Sequence, residues 1–234
     1  MGRHFEVRAA SMAASAKQKS AVYMRASKEI YMAAKRGTPD PDSNLALRSA
    51  IEKYRKSCPK DVIERAIKKA QGGDQTNYIE GRYEAFGPGG SYLIIDTLTD
   101  NTNRALVNVR TAITRKGGHL GSVIFNFQQV GLLDFDYDGT EESLEEALVL
   151  GDVDVHEISL EDKKAEVVVS PSDLDKAKEV LTSAGVKDYD YAEVTMLAND
   201  KIDLSNDDKE KFQNLLDALD DLEDVQNVYH NVNL

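Results

Sequence analysis

Apolar residues in the first third of the chain recur at helical spacing. In Ser11 to Arg36, Met12, Ala16, Tyr23, Ile30 and Ala34 stand four or seven positions apart, which puts them on one face of a helix turning ~100° per residue. Lys17, Lys28 and Lys35 fall on another face with Arg25 and Arg36 beside them, and Lys19 sits near the apolar seam. Gly37-Thr38-Pro39-Asp40-Pro41 ends this helix, because proline lacks a donor and glycine accepts a left-handed turn. A second helix is predicted around Ser43 to Lys56. Pro59, suited to a first helical position, opens a third, with Val62, Ile63, Ala66, Ile67 and Ala70 as its buried stripe. Lys60, Arg65, Lys68 and Lys69 lie on the opposite side, and Gly72-Gly73 closes it. The pattern is that of a three-helix bundle with a basic exterior.

After Asn77 the period changes. Ile79 to Phe86 and Ser91 to Thr99 read as strands joined by the turn Gly87-Pro88-Gly89-Gly90. Asp100 or Asn101 caps a predicted helix to about Lys116, stopped by Gly117-Gly118. Two strands follow, about Val123 to Phe127 and Val130 to Tyr137, then a helix from Thr140 and strands near Val153 to Ser159 and Ala165 to Val169. A helix near Ser172 to Ala184 is expected to start with Ser170 as cap and Pro171 first, ahead of a strand at about Tyr189 to Leu197. A Ser205-capped helix to about Leu222 and a strand from Val225 to Val232 end the chain. Short alternating units of this kind make an α+β, multi-domain protein. The expected division is a basic helical bundle at 1–76, an α/β domain made of 77–133 plus 204–234, and an inserted acidic α/β domain at 134–203.

Charge sharpens the picture. The whole chain of 234 residues carries a formal −12, yet the stretch from Met1 to Gly72 is net +9, that from Gly73 to Leu133 is neutral and that from Asp134 onward is net −21. A cationic head on an anionic body points to phosphate contact by the head, since lysine and arginine displace the counterions condensed on a polyanion. Arg3, Arg8, Lys17, Lys19, Arg25, Lys28, Lys60, Lys68 and Lys69 are the candidate phosphate-neutralising residues, with Arg104, Arg115 and Lys116 as a second, weaker set. No zinc finger, RNP-type strand or helix-turn-helix indicates base reading.

Other chemistries find little support. A single cysteine, Cys58, leaves no disulfide framework and no cysteine metal site, which fits a reducing compartment. No apolar run approaches the ~18 residues of a membrane span, and Glu6 stands where a myristoylation signal wants serine or threonine. Arg8 to Lys28 has the acid-free composition of a transit peptide, but the helical pattern continues through Glu29 to Arg36 with no break in texture. Asp134, Asp136, Asp138, Gly139 and Glu145 match a calcium-loop pattern. Alternation of Leu133, Phe135 and Tyr137 inward with the aspartates outward explains the same residues as a strand, so no metal is expected. Gly87 to Gly90 lacks the following Lys-Ser/Thr of a P-loop, and His4, His119, His156 and His230 show no ligand spacing. No catalytic constellation and no cofactor motif emerges.

Ordered motifs along nearly the whole chain carry a resemblance. They are Met1-Gly2-Arg3-His4, Ala33-Ala34-Lys35, Asn44-x-x-Leu47-Arg48-x-x-Ile51, Pro59-Lys60-x-x-Ile63-x-x-Ala66-Ile67, Glu80-Gly81-Arg82-Tyr83-Glu84, Gly87-Pro88-Gly89-Gly90, Thr99-Asp100-Asn101-x-Asn103-Arg104 and Gly117-Gly118-x-Leu120-Gly121. Together they resemble the YebC/PmpR family, also called the mitochondrial translational-activator family, and Ile94 to Thr99 with Glu80-Gly81-Arg82 is most similar to its YeeN branch. The resemblance implies a helical bundle followed by two α/β domains, one inserted in the other, and a role as a DNA-binding transcriptional regulator or a ribosome-associated factor assisting translation. Two departures stand out: Phe5 to Ala10 replaces the tryptophan and basic arm of most relatives, and Gly121-Ser122-Val123 is shorter than the usual loop.

The expected function is a non-enzymatic, cytoplasmic regulator of gene expression that grips nucleic acid through the bundle. The acidic body tilts this reading toward a ribosome-associated translation factor on rRNA, with ribosomal proteins as further partners. DNA-binding transcription regulation is the alternative, and a protein-interaction module without nucleic acid comes third. Neither a membrane nor a small-molecule substrate is expected.

Overall fold

The computed structural model describes residues 16–73 and 76–234, with 16–18 described at the backbone only. Helix α1 (Ala16–Arg36), α2 (Leu45–Tyr54) and α3 (Lys60–Gln71) form the bundle. Ala26, Ile30, Ala34, Leu47, Ala50, Tyr54, Cys58, Ile63 and Ala66 make its core. The turn between α1 and α2 is fastened by one side chain. Asn44 accepts the Leu47 N–H as N-cap of α2 while its amide donates to the Ala33 and Thr38 carbonyls at 2.9 and 2.7 Å. The chain fits closely there, since a Cβ on Gly37 would come within 2.5 Å of that amide nitrogen. Asn44→Ala removes the cap and leaves two carbonyls without that donor, so it should destabilise by about 2 kcal/mol, read as a thermal midpoint lower by about 5 °C.

The chain divides into two compact units, one of 14–126 with 200–233, the other built on 127–199. In the first, β1 (Ile79–Phe86), β2 (Tyr92–Thr99), β3 (His119–Leu120) and β8 (Val225–His230) form an antiparallel sheet in the order β3-β1-β2-β8. The C-terminal strand thus returns to pair with β2, Leu93 opposite His230 and Ile95 opposite Val228. Helices α4 (Thr102–Arg115) and α7 (Asn206–Asp220) bury Ala105, Val109 and Ile113, and Phe212, Leu215 and Leu219. Their caps are Asn101, which accepts the Arg104 N–H, and Ser205, which accepts the Asp208 N–H. Helix α1 has a second buried face, where Tyr31 and Met32 pack with Leu98 of β2. The single apolar stripe predicted for α1 understates it, because one side faces the bundle and another the sheet.

In the second unit, β4 (Phe127–Asp136), β5 (Val155–Glu161), β6 (Lys164–Val169) and β7 (Tyr191–Ala198) pair antiparallel in the order β5-β6-β4-β7. Helices α5 (Glu141–Leu150) and α6 (Leu174–Ser183) cover one face over Leu133, Phe135, Val167 and Val169. The two strands expected at 123–127 and 130–137 are a single strand after a turn at Ile124–Asn126. Gln128 and Gln129 read as a break, but their backbones continue the ladder to Leu197 and Met196. The boundary expected at 134 therefore falls inside β4. Ser170 does not cap: its hydroxyl bonds the Asp154 carboxylate, and Pro171–Asp173 forms a separate turn before α6.

Candidate nucleic-acid interface

Three of the predicted phosphate-binding cations are engaged by internal acceptors, Arg25 and Lys28 largely covered and Arg104 still part-exposed. Arg25 donates to the Val225 and Asp220 carbonyls and to the Asp220 carboxylate, each at 3.0 Å. Lys28 donates to the Leu98 and Glu223 carbonyls at 3.2 and 2.7 Å and sits 3.3 Å from Asp224 Oδ1. Arg104 forks onto both oxygens of Asp224 at 3.1 and 2.9 Å and also bonds Asp100 at 2.7 Å. The reason is local. Helix α7 ends at Asp220, where its last carbonyls carry the negative end of the helix dipole beside two aspartates. Cations of α1 and α4 neutralise that end, so Arg25, Lys28 and Arg104 join the bundle to the sheet instead of meeting phosphate. Burial works to raise the Asp224 carboxyl, but Arg104 and Lys28 hold it below the ordinary aspartate value.

The α3 cations stand outward. Lys60 is 88% exposed, with Glu64 at 3.4 Å as a surface neighbour. Lys68 and Lys69 are exposed a further two turns along, and Lys69 also lies over the Tyr31 ring at 5.3 Å. Arg65, 71% exposed, pairs with Asp61. Such surface pairs are weak, about 0–1 kcal/mol, and yield readily to a phosphate. Lys19 on α1 is exposed, as are Arg55 and Lys56 just before α3. Arg3, Arg8 and the Lys17 side chain lie outside the described residues. On α4, Arg115 is exposed and Lys116 half-buried.

The calcium-loop residues are placed as parts of a sheet and its edge. Asp134 is buried within β4, opposite Glu166 of β6 and Tyr191 of β7. Asp136 pairs with Lys164 at 2.6 Å and Asp138 with Lys163 at 2.8 Å, while Glu145 lies on α5. Among the described residues no group of three or more His, Cys, Asp or Glu is arranged to hold a metal. Burial pushes the Cys58 thiol up to about 11 and the His230 imidazole down to about 4, and His230 packs edge-on to Phe212. Cys58 belongs to the bundle core, and His230 is partly buried. A cavity of about 490 Å³ between bundle and sheet is lined by Glu29, Glu80, Asp96, Gln226, Asn227 and by Arg82. Arg82 is already forked onto Asp96 at 2.7 and 2.9 Å, so the cavity has the wrong sign for a polyanion.

Arg110, not among the candidates expected from the sequence, is exposed on α4, within a run from Asn101 to Leu133 that contains no aspartate or glutamate. Dividing the chain at Gly73 and Asp134 averaged that run with the acids of β1 and β2; a shorter window would have exposed it.

Two family models match the chain, one described as TACO1/YebC protein N-terminal domain over residues 3–73, the other as TACO1/YebC second and third domain over residues 78–232. The chain is 46% identical, over the full length of both proteins, to the "Probable transcriptional regulatory protein Mfl546" of Mesoplasma florum. Among solved structures it is similar to the conserved hypothetical protein Aq1575 of Aquifex aeolicus, with a TM-score of 0.76 and 30% identity, covering 92% of this chain and 90% of that one. Matches that run from the bundle through both sheets, at this identity, make the chain a member of the TACO1/YebC family.

Proposed function

We propose that the protein is a non-enzymatic regulator of gene expression that acts in the cytoplasm at transcription and contacts DNA phosphates through the outer face of the bundle. The observation that carries this reading is the outward display of Lys60, Lys68 and Lys69 on α3, in a chain whose net negative charge is concentrated after residue 133. Lys19 extends the surface on α1. The Mesoplasma florum relative is named a probable transcriptional regulatory protein, which favours transcription over the ribosome. Among the described residues no helix is long and apolar enough to cross a membrane.

Salt titration of binding to duplex DNA tests the assignment. Each phosphate neutralised contributes about 0.9 to the slope of log K against log salt. The triple reversal Lys60→Glu, Lys68→Glu, Lys69→Glu should lower that slope by about 2.7 and weaken binding at low salt, with a melting midpoint lowered by only a few degrees as the Lys69–Tyr31 and Lys60–Glu64 contacts go. An unaltered slope in the folded variant overturns the assignment. Sedimentation with ribosomes, lost in the same variant while DNA binding persists, would return the function to translation.

A further inference from the structure

We propose that the β3 edge of the first sheet, together with the end of α4, is a second contact surface that takes an unpaired stretch of nucleic acid. The inference rests on the nucleic-acid reading above but uses different residues. Four rings form a row across this edge. His119 is exposed and stacks on Phe86, with centroids 4.9 Å apart and planes 17° apart. Phe86 meets Tyr92 edge-on at 5.4 Å, and Tyr92 meets Phe125 at 5.6 Å. Phe125 is 67% exposed, an unusual position for a ring that offers so much apolar area.

The loop carrying Phe125 is held in place. The Glu84 carboxylate accepts from the Ser122 hydroxyl at 3.0 Å and from the Val123 and Ile124 N–H groups at 2.6 and 2.8 Å. The Glu84 carboxylate is thus occupied by the loop itself, and the exposed ring is displayed on a fixed support.

Charge complements the rings. The 33 residues from Asn101 to Leu133 have no acid, in a chain with 41. With Arg104 engaged by Asp224 and Asp100, Arg110 and Arg115 remain on α4 and Lys116 just past its end. Two residues separate Lys116 from His119, three steps of chain and so under ~11 Å, which puts this cation and this ring within reach of neighbouring nucleotides. The bases of a duplex are already stacked on one another. Exposed rings flanked by cations therefore suit bases whose faces are open, and ring stacking tolerates any base sequence.

The chain has no tryptophan, so Phe125→Trp places a single reporter in the row. A 12-nucleotide oligo(dT), an oligo(U) and a duplex of matched length are titrated against it. The single strands are expected to quench the tryptophan and the duplex to leave it unchanged; the two single strands distinguish DNA from RNA. In otherwise wild-type protein, His119→Ala with Phe125→Ala should weaken single-strand binding by about tenfold with an unaltered salt slope. Arg110→Gln, Arg115→Gln and Lys116→Gln together should instead lower that slope by about 2. Unchanged single-strand binding in the folded aromatic variant, or no quenching of the tryptophan, overturns the second surface. If the bundle reversal abolishes duplex binding at the same time, the proposed function stands alone. Wild-type protein that binds neither strand nor duplex overturns both.

Discussion

Asp224→Ala is expected to destabilise the unit of 14–126 and 200–233 by about 3 kcal/mol, because it leaves two cations beside a helix end without their common acceptor. The carboxylate is 4% exposed and receives the Arg104 fork and Lys28. Lys28 is itself well covered, its side chain 14% exposed, so its charge regains little water when the partner goes. Arg104 is 45% exposed and recovers part of its hydration, which sets the figure at the lower end of the range for a broken buried pair. In a thermal melt the midpoint should fall by about 10 °C. Asp224→Asn, which keeps one acceptor and the shape, should fall less. The pH dependence has a definite sign. The folded carboxyl titrates below its unfolded value, so the stabilisation is complete above about pH 4 and is lost as pH falls through the folded value. The gap between wild type and Asp224→Ala should therefore be constant from pH 7 to about 5 and close in more acidic solution. A gap that does not change down to pH 2 would show that packing, not charge, sustains it.

That same aspartate explains where the sequence was legible and where it was not. Periodicity located the bundle helices, and residue type located the caps at Ser205 and at Asp100 or Asn101, of which Asn101 caps, because each depends on neighbours in sequence or on a face that must be buried. Which cations stay in water depends on contacts some two hundred residues apart. Arg25 and Lys28 look like Lys60 and Lys68 in a helical projection, yet the first pair meets Asp220 and Asp224 and the second meets solvent. A polar pair such as Gln128-Gln129 likewise reads as a break until the partner strand that carries its backbone through is known. Composition over large blocks had the same weakness, merging the acid-free run on α4 with the carboxylates of β1. The family resemblance implied the same order of domains as the residues did but could not separate joining cations from displayed ones.

Gly118→Ala should cost about 3 kcal/mol, against about 1 kcal/mol for Gly117→Ala, although the two glycines are adjacent. Gly117 has a φ of +85° with open space around it, so a side chain there meets only left-handed strain. Gly118 has no such backbone need. A Cβ on it would come 2.4 Å from the Phe86 carbonyl oxygen and 2.9 Å from Ile113 Cγ2. A backbone oxygen cannot turn aside as a flexible side chain does, so β3 has to lift from β1. That movement breaks the pairing of Phe86 with His119 and of Ala85 with Leu120, and it carries His119 off the Phe86 ring. Gly118→Ala should thus lower the thermal midpoint by about 10 °C. In the protein that remains folded, it should also weaken oligo(dT) binding while sparing the bundle's hold on duplex, because Lys60 and Lys68 lie on α3, away from the displaced strand. Gly117→Ala should lower stability modestly and leave both affinities as they were. Equal losses in the two alanine variants would mean that conformational freedom, and not the close approach of two backbones, fixes this turn.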